Sequence, residues 1–495
     1  MSVSVLSTPR ALGGVSGLLQ VASLLGLVLL LLKAAQLYLH RQWLLKALHQ
    51  FLSPPSHWLY GHMQEVGWIW TRWCPYSHPV WLGQFLGFLN IYDPDYTKAV
   101  CRLCDLTGPP SPLPSPGKGL LLPQGPKCFQ HCKLLTPGFS YDVLKPYVAV
   151  SPSPHVPCWR APRAGLLEAE LQGQFSLGEA AQGLCWGSVS EHPSLPPLCR
   201  DRSYCLAVSD LSLLMQQRFE SLQYHKDCNC CLTPQGRHFL QACQVAHDHT
   251  DQVIREWKSA LQDKKEREKM QSRRHLNFLD ALLGARDEDG IELSDADLWA
   301  EVDTFMFEGH DTTTSGMSWF LYCMALYPER QHRCWEEVRE ILGDRNSIQC
   351  GDLRKMTYLT MCLKESFHLY PRVPQVYRQL SGMGWILGGT GVLAGALCTL
   401  APVGKSPGFV LGLRPSPSSI SLMSFCAAHR RNCLAQQFAM NKMNVVTALC
   451  LLCFEFSLDP SRPPIQIPCS PRMLTHSFNK RGEHLRASRL SFHLP

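Results

Sequence analysis

Cys433 follows Arg431 by two residues and opens an apolar run that continues through Val445-Val446-Thr447-Ala448-Leu449. A buried thiolate needs nearby positive charge or a metal, because desolvation otherwise drives the sulfur back to the thiol. In that setting Cys433 offers a metal–sulfur bond, Arg431 a charge for a cofactor carboxylate, and the following helix a dry wall. A structural buried cysteine, one of 23 in the chain, is the competing reading. A second constellation is Glu301-Val302-Asp303-Thr304-Phe305-Met306-Phe307-Glu308-Gly309-His310-Asp311-Thr312-Thr313. Acid, glycine and paired threonines suit a helix interior poorly: Gly costs about 1 kcal/mol relative to Ala, and Thr hydroxyls compete for backbone carbonyls. Local rules broken together mark a site. Gly309 leaves room for a flat cofactor against the backbone, and Asp311 and Thr312 can pass protons. A kinked helix with locally satisfied polar groups is the alternative. The third is Lys364-Glu365-Ser366-Phe367-His368-Leu369-Tyr370-Pro371, where Glu365 and His368 can pair one turn apart.

The elements that must position these residues are mostly helical. Ser294-Asp295-Ala296-Asp297 predicts a capped helix start, and the helix runs to about Tyr327, where Pro328 stops it. More than thirty residues without a break predicts a helix that crosses the core. Residues 11–32 carry no charge and are long enough at helical rise to cross a hydrocarbon core. Lys33, Arg41 and Lys46 follow that segment and only Arg10 precedes it, which predicts an uncleaved anchor with the bulk on the cytosolic side. Residues 33–62 then read as a basic membrane-proximal segment, with an amphipathic helix from Gln42 to Leu52 and a Ser53-Pro54-Pro55-Ser56 hinge. The remainder, 63–495, reads as one large domain in which Gly108 to Gly125 is loop and 151–198 and 381–424 are atypical. Seven prolines and five glycines in 151–198 leave no convincing element there.

Composition narrows the classes. Hydrophobic content of 45% with 18% charged residues is an ordinary globular balance. A net charge of +7 over 495 residues suits a membrane surface or an acidic electron donor and is too diffuse for nucleic acid. With the body facing cytosol, a disulfide framework is not expected. Cys101/Cys104, Cys228/Cys230/Cys231 and Cys450/Cys453 have zinc-knuckle spacing but lack a matching second pair. His247 and His249, two apart on a helix, point their rings away from each other and make a poor chelate.

The run Glu308-Gly309-His310-Asp311-Thr312-Thr313 resembles the oxygen-activation motif of the cytochromes P-450, and the acid at Glu308 resembles their family 4, the fatty-acid ω-hydroxylases. The run around Cys433 resembles their haem-thiolate loop. Similar segments cover roughly 1–62, 91–98, 129–147, 209–380 and 433–457. The resemblance implies a mainly α fold with a small β-rich lobe near the anchor and a haem b with Cys433 as iron ligand, Arg431 and Gly309 as further cofactor contacts, and Glu308 as an ester tether. It implies Thr312 and Asp311 in proton delivery and Glu365 and His368 as a structural brace. Activity would be hydroxylation of the terminal carbon of medium- or long-chain fatty acids, using dioxygen and electrons from NADPH–cytochrome P-450 reductase, at the endoplasmic reticulum membrane.

The chain departs from the family pattern at several points. His368 stands where the brace carries arginine, and histidine lacks arginine's bidentate fork. Cys128 and Cys132 replace a tryptophan and an arginine that would hold a haem propionate. His429 and Cys426 stand at glycine and phenylalanine positions of the thiolate loop, and Ala435 at a further glycine. These substitutions support a second expectation, a membrane-anchored relative that binds haem poorly or not at all.

Overall fold

The computed structural model describes residues 10–49, 51–53, 57, 61–62, 77–82, 86–91, 96, 125–140, 144–145, 148, 202–220, 232–262, 293–343, 345, 347–370, 376–379, 384–386, 390–392, 397–400, 433–458, 460 and 485–489. The Pro54-Pro55 hinge, the loop before Gly125, segment 151–198, Cys101/Cys104, Cys228/Cys230 and most of the basic stretch after Lys258 lie outside the described residues.

Helix α1 (Arg10–Leu48) presents an exposed apolar middle that includes Leu24, Leu27 and Leu30 to Leu32. The stretch Leu19–Leu48 is long and apolar enough to cross a membrane by length and composition. The expected separate surface helix from Gln42 does not form. Nothing between Lys33 and Arg41 breaks a helix, so α1 continues, and its last turns bury Leu44, Ala47 and Leu48 against the body. Their partner is the hairpin β1 (Ser77–Leu82) and β2 (Leu86–Ile91). Gly87 makes that docking possible, because a Cβ there would lie 3.0 Å from the Trp81 ring and 3.1 Å from Leu48 Cδ1.

Later chain completes this sheet. Strands β3 (Val376–Gln379), β4 (Gly384–Ile386), β5 (Thr390–Val392) and β6 (Leu397–Leu400) follow the helices. The sheet order is β1-β2-β6-β3, with β2 and β6 parallel and the other pairs antiparallel, while β4 and β5 form their own hairpin. The glycine-rich segment after Ser381, atypical in sequence, therefore contributes three short strands. The architecture is mainly helical with a small sheet beside the end of α1, as expected.

The helices are α2 (Gly125–Leu135), α3 (Arg202–Glu220), α4 (Pro234–Gln262), α5 (Asp295–Leu326), α6 (Pro328–Leu342), α7 (Cys350–Leu353), α8 (Thr357–Leu369) and α9 (Gln436–Cys453). Strands β7 (Phe454–Leu458) and β8 (Leu485–Arg489) pair beyond α9. Helix α5 starts where its cap predicts: Ser294 Oγ accepts from the Asp297 amide at 3.1 Å, and Pro328 opens the next helix directly after Tyr327. Two apolar clusters meet on α5. Its N-terminal half puts Leu298, Val302 and Met306 among residues of α2, α3 and α4. Its C-terminal half puts Met317 and Trp319 through Ala325 among residues of α6, α8, α9 and β7.

Candidate functional site

Between those clusters lies the stretch of α5 that carries Glu308, Gly309 and Thr312. Gly309 is exposed in mid-helix, and a Cβ built there would meet no atom within 4 Å. A helix flanked on both sides by buried apolar turns is thus open along one face at its glycine. The Thr312 hydroxyl donates to the Glu308 carbonyl at 2.8 Å, one turn back, so it is held locally and its oxygen keeps accepting capacity. Glu308 is partly buried, and its carboxyl is pushed up to about 7 by that burial and then by the Glu301 carboxylate two turns earlier. A carboxyl poised there can hold or release a proton near neutral pH. Asp311 lies on the same helix, and its side chain is outside the described residues.

Helix α2 flanks this stretch and is tied to α5 by two rungs of matching spacing. Lys127 Nζ donates to Asp297 Oδ1 at 2.6 Å, and one turn further along both helices His131 Nδ1 and Glu301 Oε1 share a hydrogen bond of 2.6 Å. The first rung is half-exposed, and the Lys127 hydrogen bond holds Asp297 below the usual carboxylate range. The second is shut off from solvent, with side-chain exposures of 4% and 0%. Beyond them Phe139 stacks on Phe305 at 5.5 Å. On the same α2, Cys128 Sγ and Cys132 Sγ lie 4.0 Å apart. These two positions carry no charge, so α2 offers no arginine there for an anionic group.

On its other side α5 holds a third polar contact. Thr250 Oγ1, on α4, donates to Asp303 Oδ1 at 2.9 Å, and burial pushes the Asp303 carboxyl up against that bond. His247 meets Trp299 edge-on at 4.9 Å and His249 stacks on Tyr204 at 4.5 Å, so the two imidazoles serve different neighbours and do not chelate.

Cys433 lies just before α9 in a turn closed by the Gln436 amide on the Cys433 carbonyl at 3.3 Å. Its thiol is exposed, where the sequence predicts a buried thiolate. The helix beginning at Gln436 directs its positive end toward the turn. The adjacent Leu434 packs on the cluster of Met306 and Val302, so the thiol turn and the open stretch of α5 share one apolar wall. Arg431, Cys426 and His429 lie outside the described residues. Glu365 and His368 sit one turn apart on α8, distant in sequence from that wall; the His368 side chain is likewise outside the described residues.

The donor set suits one kind of metal group. Among the described residues no three His, Cys, Asp or Glu side chains gather to hold an ion by themselves. A single soft thiol and, on α5, an open glycine face suit an iron already held by a flat macrocycle. Glu301, His131, Asp303 and Thr250 were missed as positioning residues. Glu301 and Asp303 carry a sequence signal, acids inside an apolar helix, but their partners lie 170 and 53 residues away.

Comparison with known proteins bears on the same residues. The family model "Cytochrome P450" matches residues 198–400, a stretch that holds α5 and ends before Cys433. Human cytochrome P450 4B1 is 54% identical over 491 residues, covering 94% of this chain and 95% of that protein. Human cytochrome P450 4A11 is 44% identical over 526 residues, covering 99% and 98%, and rabbit (Oryctolagus cuniculus) cytochrome P450 4A6 is 43% identical over 518 residues, covering 99% and 100%. The 4B1 protein thus shares more identity with the chain than these two 4A proteins do. Similarity of this extent, with the Glu308–Thr313 motif inside the matched stretch, makes the chain a member of family 4 of the cytochrome P450 monooxygenases, whose cofactor is haem.

Proposed function

We propose that the chain is a membrane-anchored haem-thiolate monooxygenase that hydroxylates the terminal carbon of medium- or long-chain fatty acids. What supports it is the alignment on α5 of an open Gly309 face, a Glu308 carboxyl poised near neutral and a Thr312 hydroxyl, walled by the turn that presents Cys433. Haem, when bound, supplies dioxygen activation and oxygen insertion into a C–H bond. Cys433 would hold its iron, Gly309 would lie against its face, Glu308 would tether it as an ester, and Arg431 would meet a propionate. Thr312 and Asp311 would move protons toward the reacting oxygen, with Thr312 kept in place by the Glu308 carbonyl. Glu365 and His368 would brace the fold beneath. The fatty-acid substrate rests on the resemblance of the Glu308 motif to the ω-hydroxylases.

The exposed apolar middle of α1 supports anchoring, and the basic residues after it support a cytosolic body at the endoplasmic reticulum, supplied with electrons by NADPH–cytochrome P-450 reductase. The test is the carbon monoxide difference spectrum of the dithionite-reduced protein, followed by reductase-supported turnover of fatty acids. A red-shifted Soret band that is lost in Cys433→Ala, with ω-hydroxylated product, supports the reading. Haem that acid extraction frees completely counts against the ester to Glu308.

One observation favours a second reading, a haem-deficient relative: α2 carries the uncharged pair Cys128 and Cys132 where the family pattern has tryptophan and arginine. Absence of any carbonyl band, with a folded protein by circular dichroism, selects that reading.

A further inference from the structure

Helix α2 carries a side-chain pair that the proposed function does not use. Cys128 Sγ and Cys132 Sγ lie 4.0 Å apart, one turn from each other on the same helix. Cys128 is 3% exposed, whereas Cys132 is partly exposed, so the pair opens to solvent at one end. The rung of Lys127 on Asp297 and the rung of His131 on Glu301 each adjoin one of these cysteines in the chain. The rungs hold α2 to α5 and fix the two sulfurs as a preformed pair.

We propose that Cys128 and Cys132 form a two-sulfur binding site for thiophilic ligands of the monosubstituted trivalent arsenic class. The helix keeps the pair from closing on itself. Residues four apart hold their Cβ atoms about 5–6 Å from each other, and a disulfide needs about 3.5–4.5 Å. An atom bonded to both sulfurs escapes that limit: two bonds of about 2.3 Å, the length of a zinc–sulfur bond, reach across about 4.6 Å. The gap of 4.0 Å lies within that reach. Sulfur favours soft partners, and coordination number then selects among them. Zinc in a closed site takes four protein ligands, and among the described residues no third His, Cys, Asp or Glu side chain joins these two. His131 lies between the cysteines in sequence, but its Nδ1 is turned to Glu301. Trivalent arsenic that carries one carbon substituent is complete with two sulfurs.

The binding step is an exchange without redox change. An arsine oxide, R–As=O, meets the two thiols, and both bonds from arsenic to oxygen are replaced by bonds to the Cys128 and Cys132 sulfurs. The oxygen leaves as water with the two thiol protons, and arsenic stays trivalent. Cys132, the more open sulfur, bonds first, and Cys128 closes the ring from the buried side. The product staples one turn of α2. A small competing dithiol reverses it by the same exchange.

The experiment uses the full-length protein in phospholipid nanodiscs, reduced and desalted, with graded phenylarsine oxide as the probe. N-ethylmaleimide then blocks open thiols before digestion with trypsin. Cleavage after Lys127 and Lys133 gives the peptide Cys128–Lys133, which carries both cysteines and no other. In the unaltered chain this peptide should gain one phenylarsenic group, and Cys132 should lose its maleimide label. Both changes should reverse with ethanedithiol. They should appear at several-fold lower doses than any arsenic on the peptide with Cys450 and Cys453, which stand three apart on α9. Cys128→Ala, folded by circular dichroism, should leave Cys132 open to maleimide at those doses. The proposal is overturned if Cys128–Lys133 gains no arsenic at doses that load the α9 peptide, or if the two peptides load at equal doses. Protection of Cys132 that survives in Cys128→Ala overturns it as well. So does a Cys132 that resists maleimide without arsenical, since the site would then be closed to its ligand. The arsenic mass is read on the unaltered chain, and no readout depends on haem or on turnover.

Discussion

The two halves of α5 are built differently. The C-terminal half is an apolar plug: Trp319 is fully buried, stacks on Tyr370 at 4.2 Å and meets Tyr322 edge-on at 5.6 Å. The buried amide of Gln331, packed beside it, is answered by backbone. Gln331 donates to the Phe456 carbonyl at 2.9 Å and accepts from the Phe456 amide at 2.7 Å, as a missing strand residue would. The N-terminal half buries charged side chains and answers them with other side chains, His131 for Glu301 and Thr250 for Asp303. The difference teaches where rigidity ends and site tuning begins. Backbone-answered polar groups fix one neutral arrangement, whereas side-chain-answered acids leave electrostatic fields that reach Glu308.

Substitutions that remove one partner should expose this contrast. Trp319→Ala should cost the most, about 3–5 kcal/mol, because a fully packed indole leaves a cavity between two aromatic neighbours. Chemical denaturation should show that loss without any pH dependence; a loss below about 1 kcal/mol would mean that the plug relaxes freely. Glu301→Leu should follow at about 3 kcal/mol, since it strands His131 in a dry interface. The double variant His131→Leu with Glu301→Leu should recover much of that loss, and additive losses would show that the pair is not coupled.

Glu308 offers a pH test. Its folded value lies above its ordinary value of 4.5, so the folded chain holds a proton there that the unfolded chain has released. Stability is therefore fully present below about 4.5 and is lost as pH rises through about 7. Glu308→Gln in haem-free protein should remove about 2–3 kcal/mol of that slope. An unchanged slope between those pH values would place the titration elsewhere. The smallest effect belongs to Thr250→Val, about 1 kcal/mol, from loss of one hydrogen bond to a half-answered carboxylate. If Thr250→Val instead costs as much as Glu301→Leu, the two sides of α5 are one network and the contrast drawn above fails.

Much of the fold was legible in the chain. The span from Ser294 to Tyr327 was readable because its start is a capping pattern and its stop a proline, both local. The apolar stretch of α1 was readable as well, because an uncharged run long enough for a span is a local signal. The end of α1 was not, because Gln42 to Leu48 has the look of a surface helix until β1 and β2 supply Trp81 and Gly87. The strands after Ser381 were invisible too: three or four residues without alternation become strands only when an existing edge, such as β2, accepts their hydrogen bonds.

By itself the sequence determined which residue types are brought to the site: a thiol ahead of an apolar helix, and an acid, a glycine and a threonine inside a long one. Covalent order and helical period carry that information. Only the tertiary structure decided that Glu301 is answered by His131, that Asp303 is answered by Thr250, and that Leu434 joins the cluster that holds Met306. Such contacts join residues far apart in the chain, and their free energy depends on the burial that the whole fold creates.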